Sequence, residues 1–501
     1  MAGMAVLEGD VTDSTTVTVG YQTQDNNPTG STWGTVAFFD NQGNFAHLAR
    51  STNLSPKWSY WKRESNTAFA NLEQRFGDHW LLKINTAYTR GNVQNVRLYG
   101  TGNPDPVTGA GIYLRAAAGD SKDTRRNVDA YLTGSFPLFG RDHDLTVGAQ
   151  WSDLEGTTNT VALNFPGDWA TCGRERCYYI PNVFNWNGDI SEVTYTRTGA
   201  RRVAKTTQSG VYLATRLRLA EPLSLIAGAR LSRWETLSRS YNAAGAYTGT
   251  SGAYKVSDEV TPYVGLVYEI TPNVSAYASY TEIFNPQNYK DRNENLLAPV
   301  QGSNLEAGIK TQWFDGRLTA NAAVFEAKQD NYAVRDMSVP EGTLSDGSSA
   351  YIGINGTKAR GWEMDVNGEI LPGWTVNAGY TRVKVTRAAT DLLYANPPKD
   401  LLQLNTQLQL RGALERLSIG GGLQWQSRVQ GYNIAYPLGG TVTVNQPAYS
   451  LVQFNANYRI SDNWTATLSV RNALDKTYWA NLDYNNFGEP RFVSASLRWK
   501  F

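Results

Sequence analysis

The chain has 501 residues, with 46 Lys and Arg against 45 Asp and Glu and a net charge of +1. That balance gives no electrostatic footprint for nucleic acid, and three histidines (His47, His79, His143) with two cysteines leave little material for a metal site or a thiol relay. Aromatic residues make up 12% of the chain, which excludes disorder, while a mean hydropathy of −0.43 and the lack of any apolar run near ~18 residues exclude a helical membrane protein.

The chain opens Met-Ala-Gly-Met-Ala-Val-Leu-Glu-Gly-Asp, which has neither the basic start nor the apolar stretch of a secretory signal. From there, residues alternate between apolar and polar in segment after segment, the period of a β-strand. Leu305, Ala307, Ile309 and Trp313 alternate with Asn304, Glu306, Lys310 and Gln312. Trp362, Met364, Val366 and Ile370 alternate with Glu363, Asp365, Asn367 and Glu369. Val452 to Ile460 and Ala466 to Val470 repeat the pattern, and Val493, Ala495, Leu497, Trp499 and Phe501 end the chain on a strand. About 19 such segments are present in all.

A soluble sandwich or propeller also alternates, but here the polar positions carry full charges strand after strand. A water-filled lumen tolerates that, and the apolar face then turns to lipid. Connections alternate as well. Short turns at 77–79, 139–142, 271–273, 314–317, 371–373 and 461–463 separate long polar stretches at 27–59, 100–121, 158–205, 240–255, 286–300, 337–350, 387–399, 431–448 and 481–489. Short turns on one side and long loops on the other mark an outer-membrane barrel. Trp80, Trp313, Trp374, Trp464 and Trp499 lie beside short turns, as a periplasmic aromatic girdle requires. The expected fold is therefore all-β, a large antiparallel transmembrane β-barrel. Enzyme signatures such as a phosphate loop, His-Glu-x-x-His or Gly-x-Ser-x-Gly do not occur.

Val470-Arg-Asn-Ala-Leu-Asp-Lys-Thr-Tyr478, Phe487-Gly-Glu-Pro-Arg491 and the terminal strand resemble the C-terminal signature of TonB-dependent outer-membrane receptors. The matching positions are Asn472, Leu474, Asp475, Tyr478, Gly488, Pro490, Arg491 and Phe501. Lys358-Ala-Arg-Gly-Trp-Glu-Met-Asp365, Tyr277 to Gln287, Leu297 to Lys310, Ala323 to Asn331 and Leu7 to Thr12 are similar to the ferric siderophore branch, typified by coprogen, rhodotorulic acid and pyoverdine receptors. The resemblance runs from about residue 6 to 501. It implies a barrel of about 20–22 strands in the full family fold, in the outer membrane of a Gram-negative bacterium. It also implies a monomer that takes up a ferric siderophore, of hydroxamate type, as transported ligand rather than resident cofactor. The family's plug, TonB box and signal peptide have no counterpart in the sequence, so the expectation is one N-terminally truncated barrel domain over 1–501. Coupling to the TonB–ExbB–ExbD complex would pass through that plug and box. The barrel assembly machinery would engage Phe501, and outer-membrane lipid would surround the strands. A passive porin-type pore stays open as the alternative.

A siderophore already fills the iron's coordination sphere, so a receptor needs flat aromatic surfaces, hydrogen-bond donors and mild positive charge. Within the expected outer loops the candidates are Trp33, Trp58, Tyr60, Tyr99, Trp186, Tyr289 and Tyr484, with Trp61, Trp169, Tyr178, Tyr179, Tyr351 and Tyr394 in the wider set. Trp33 and Trp58 sit in stretches resembling the hydroxamate-receptor branch and stand first. Packing of loops against one another is the competing role for each. Cys172 and Cys177 lie in the longest loop, and in an oxidising compartment that spacing is expected to form a local disulfide.

Overall fold

In a computed structural model the described residues are 1–32, 34, 36–173, 175–345, 347–386, 397–482 and 485–500. Among the described residues, nineteen long strands carry the fold. In the first half they are β1 Ala2–Thr12, β2 Thr15–Asn26, β3 Tyr60–Phe76, β4 Trp80–Gly102, β5 Ile112–Leu138, β6 Arg141–Asn164, β7 Thr194–Ala220, β8 Leu223–Tyr241, β9 Tyr247–Thr271 and β10 Val274–Asn285. They continue as β11 Val300–Trp313, β12 Leu318–Asp330, β13 Thr357–Leu371, β14 Trp374–Thr386, β15 Asp400–Gln409, β16 Leu417–Gln426, β17 Tyr449–Arg459, β18 Trp464–Arg471 and β19 Phe492–Trp499. The chain forms two compact units, one of residues 1–264, 282–300 and 335–352, the other of residues 265–281, 301–334 and 353–501.

In the first unit β1 to β8 pair antiparallel, each with its sequence neighbour. Register puts Val19, Ala70, Thr86, Val128, Trp151 and Ser209 in one row across the sheet. The next row on the same face is Val17, Leu72, Ile84, Ala130, Ala149 and Val211. Val19, Val128, Trp151 and Val211 are exposed, which is what side chains meeting lipid instead of a protein core show. The opposite face of β4 and β5 carries Lys83, Asn85, Tyr131 and Asp129. In the second unit β11 to β19 likewise pair with their neighbours, and Leu404, Leu423 and Val452 share a row opposite the amides of Gln403, Gln424 and Gln453.

Connections alternate as the sequence implies. The short turns include three the sequence reading passed over, at 13–14, 221–222 and 410–416. Three of the long stretches are corrected. Residues 100–121, 158–205 and 240–255 are expected as loops, yet much of each is strand, because β4 to β9 run on past the bilayer. β5 is 27 residues long, against the roughly 9–11 a crossing needs. These extensions have water or loops on both faces, so no apolar rhythm announces them. Residues 431–448 are also partly strand, a hairpin of Val429–Ala435 with Thr441–Gln446.

Aromatics beside the short turns behave as girdle residues. Trp464 and Trp499 stack at 6.1 Å. The Trp374 indole N–H donates to Thr406 Oγ1 at 2.8 Å and that of Trp313 to Thr311 Oγ1 at 3.0 Å, so neither ring carries an orphaned donor into the interface. His143, beside another short turn, is buried. Its Nδ1 accepts from the Arg218 N–H at 3.0 Å, leaving Nε2 to donate to the Leu138 carbonyl at 3.0 Å. His143→Ala orphans a backbone amide and is expected to cost about 1–3 kcal/mol, read as a lower urea midpoint in detergent; an unchanged midpoint contradicts this role.

Candidate ligand-binding face

The apolar core of the first unit lies beyond the bilayer. Val96 and Leu98 on β4 and Ile112 and Leu114 on β5 are almost wholly buried, as are Phe38, Phe39, Trp169, Ile180, Val183 and Val193 from the loops. By register the four strand residues continue the lipid-side face. Segments 27–59 and 165–193 therefore fold over the outward side of this extension, opposite the side that carries Asn95, Arg97 and Tyr99.

That inward side carries cations and rings together. Trp61 on β3 has two guanidinium carbons 3.9 Å from its ring centroid, those of Arg63 and Arg97. Register explains the stack: Trp61 stands opposite Asn95, with Arg63 two residues below and Arg97 two residues above on the paired strand. Arg97 is buried and donates from Nε to Asn95 Oδ1 at 3.0 Å. Asn95 reaches this place because Gly119 faces it; a Cβ there would lie 2.6 Å from the Asn95 amide nitrogen. Burial, and then the Arg63 charge, lower the pKa of Arg97. Arg63 has no carboxylate partner among the described residues. Tyr99 stands opposite Arg115, and Arg115, ion-paired with Glu175, lies over Tyr113 at 5.6 Å. The result is a strip of three arginines and three aromatic rings, suited to a conjugated ligand bearing negative charge.

The sequence-expected residues fall into groups. Tyr99 belongs to this strip, and Trp61 of the wider set is its centre. Trp58 is half-buried and donates its indole N–H to the Ile190 carbonyl at 2.9 Å, pinning two loops. Trp186 packs at 6.1 Å on Tyr178, which packs at 6.0 Å on Trp169. Tyr289 is 43% exposed and packs on Tyr351 with ring centroids 4.4 Å apart. Trp33, Tyr394, Tyr484 and Phe501 lie outside the described residues. Arg63, Arg97 and Arg115 escaped the sequence reading; their signal was the repeated Arg at alternate positions beside Trp61 and Tyr99.

Tyr60 faces outward, into a polar clasp around Asp120. That carboxylate is 2% exposed and accepts from Asn159 at 2.7 Å, from Tyr195 at 2.9 Å, and from Arg197 Nε and Nη2 at 2.9 and 3.0 Å. Burial works against its charge, but the hydrogen bonds from Asn159, Arg197 and Tyr195 overcome it and hold the pKa below the usual value. Burial, and then the bond to Asp120, push Tyr195 up. A depressed carboxylate stabilises the folded state above its unfolded pKa of roughly 3.9 and loses that contribution as pH falls through the lower folded value. Proteolytic sensitivity of segments 27–59 and 165–193 is therefore expected to stay flat from pH 8 to pH 5 and to rise only below about pH 4. A rise near pH 6 contradicts this.

Cys172 and Cys177 are joined by a disulfide across the small hairpin of Ala170–Cys172 with Glu175–Ile180, their Cα atoms 5.9 Å apart. In the second unit the C-terminal signature is a clasp. Asn472 donates to the carbonyls of Lys476 and Glu489 at 2.9 and 2.8 Å, and Asp475 accepts from the Arg491 N–H at 3.0 Å. A Cβ on Gly488 would lie 2.0 Å from the Tyr478 ring, which stacks on Tyr449 at 4.6 Å. Leu474 is 69% exposed, and Pro490 is exposed beside the clasp.

A two-faced antiparallel sheet with short turns at one end and a guanidinium–aromatic strip at the other defines a receptor-type membrane barrel. Residues 7–473 match the family described as TonB dependent receptor-like, beta-barrel, and the chain belongs to that outer-membrane family. It is 34% identical over 506 residues to the ferripyoverdine receptor of Pseudomonas aeruginosa, covering 99% of this chain and 59% of that protein. With the ferric-pyoverdine BN7/BN8 receptor of Pseudomonas putida it shares 30% identity, covering 99% of this chain and 58% of that one. The crystal structure of the Pseudomonas aeruginosa outer-membrane receptor bound to ferripyoverdine superposes with a TM-score of 0.86 at 32% identity, over 100% of this chain and 64% of that one. The chain thus spans less than two thirds of these relatives.

Proposed function

We propose that this chain is the barrel portion of a TonB-coupled ferric siderophore receptor whose ligand is of the pyoverdine type. The observation that carries the reading is the Arg63–Trp61–Arg97 stack on the inward face, in which the indole holds planar guanidinium groups that suit a conjugated ligand bearing negative charge. Relatives at 30–34% identity named for pyoverdine favour that ligand over the hydroxamate class expected from sequence. Family membership supports energy coupling through TonB acting on the complete receptor. Equilibrium titration of the complete receptor with ferric pyoverdine and with ferrioxamine B tests it: at least about tenfold tighter binding of the former is expected, and equal or absent binding overturns it.

A further inference from the structure

Strand β16 contains three consecutive glycines, Gly420, Gly421 and Gly422, and glycine in a strand interior weakens it. Two of them are explained on the water side. The Asn455 amide donates to Gln407 Oε1 and the Gln453 amide to Asn405 Oδ1, both at 2.9 Å, so β15 and β17 are bridged across β16. A Cβ on Gly420 would lie 2.5 Å from Asn455 Oδ1, and one on Gly422 would lie 2.5 Å from Asn405 Oδ1. Gly421 faces the other way, toward the bilayer. A Cβ there would come no nearer to the described residues than 3.5 Å, at the Gln453 carbonyl, which is ordinary van der Waals contact. Packing within the protein explains the first and third glycines and leaves the second unexplained.

Register sets Thr406, Gly421, Phe454 and Val470 in one row, and Leu408, Ile419, Ala456 and Leu468 in the next row toward the short turns. Because Gly421 and Ala456 are small, these rows enclose a groove of about 550 Å³, walled by Leu408, Ile419, Phe454, Leu468 and Val470. Trp374, opposite Leu408 at the start of β14, flanks it at the short-turn end. Gly421 stands five residues past Arg416, the end of the turn at 410–416, or about 17 Å of strand. The groove therefore lies in the leaflet nearer the short turns of a hydrocarbon layer ~30 Å thick. Just beyond its mouth, the exposed Arg411 and Arg416 flank Glu415. These guanidiniums bond to the Pro372 and Ile460 carbonyls at 2.7 and 3.2 Å rather than to a carboxylate.

We infer that this groove seats one phospholipid of the periplasmic leaflet, with an acyl chain in the Gly421–Ala456 notch and the phosphate at Arg411 or Arg416. The lining suits a hydrocarbon chain, because a polar ligand would lose its hydrogen bonds there. Guanidinium N–H groups at the rim suit a phosphate. A partner's transmembrane helix, roughly 10 Å across, would rest on Phe454 and Ile419 without entering a notch one missing side chain deep.

Native mass spectrometry of the whole chain in dodecyl maltoside tests this with added dioleoyl phosphatidylethanolamine and with dioleoylglycerol, which lacks the phosphate. Gly421→Leu fills the notch and is expected to weaken phospholipid binding about tenfold. Gly379→Leu, at a water-side glycine where a Cβ also has room, is expected to stay within about twofold. The Arg411→Gln, Arg416→Gln double variant is expected to lose about fivefold for the phospholipid and nothing for dioleoylglycerol. Heat-modifiable gel mobility reports folding of each variant; should Gly421→Leu not fold, Gly421→Ala stands in, with about threefold weaker binding expected. Retained affinity in the Gly421 variant overturns the proposal, and so does an unchanged double variant or dioleoylglycerol binding as tightly as the phospholipid. A two-chain mass that the Gly421 variant abolishes would also overturn it, by giving the notch to a second copy.

Discussion

Replacing Trp61 and Arg97 together by alanine is expected to weaken ferric pyoverdine binding to the complete receptor by roughly 100-fold. A desolvated cation–π contact contributes about 2 kcal/mol, and here two guanidiniums meet one indole at 3.9 Å. Removing the ring also releases the Arg63 side chain from the orientation that the stack imposes on it. Trp58→Ala, by contrast, removes an indole whose N–H is already spent on the Ile190 carbonyl. It is expected to act on loop order first, speeding proteolytic cleavage of segments 27–59 and 165–193 rather than changing the intrinsic affinity. Fluorescence titration separates the two. Equal losses from both substitutions would contradict the assignment of the strip as the contact surface.

Leu98→Ala is expected to cost about 2–5 kcal/mol in stability of the extracellular segments, whereas Leu213→Ala is expected to cost far less. Both are leucines on the same side of the sheet. Leu98 is 0% exposed among the residues of the loop core, while Leu213 is 46% exposed on the bilayer-facing stretch. Truncating the first leaves a cavity in close-packed protein, but fluid acyl chains refill the space left by the second. Hydrogen exchange of segments 27–59 and 165–193 checks the first value, and urea midpoints in bilayers check the second. A large effect at Leu213 would place protein rather than lipid against that face.

Much of this was legible in the sequence wherever a strand has two different surroundings. Val452, Phe454 and Ala456 against Gln453, Asn455 and Asn457 state a lipid side and a water side directly. The rule fails where both sides become alike. Residues 112–121 of β5 gave no rhythm because one face meets loops and the other water, so a strand read as a loop. The candidate site suffered from the same blindness. Aromatic residues in loops were visible, but which of them faces inward depends on strand register. Trp61 and Tyr99 fall inward and Tyr60 outward by a single step of parity. The arginines were harder still, since a lone Arg in a polar stretch is ordinary until its neighbours across the strand are known. The C-terminal signature was seen as a pattern of letters. Its physical content, Asn472 capping two carbonyls and Gly488 making way for Tyr478, required coordinates.

The account rests on each strand having an acyl-chain side and a water side. Single-cysteine spin labels placed in turn at residues 465 to 470 of β18, in lipid nanodiscs, test this directly through accessibility to oxygen and to a water-soluble nickel chelate. Labels at Ala466, Leu468 and Val470 are predicted to favour oxygen, and those at Thr465, Thr467 and Ser469 the nickel chelate. A profile without that two-residue period, or one with the faces reversed, would contradict it.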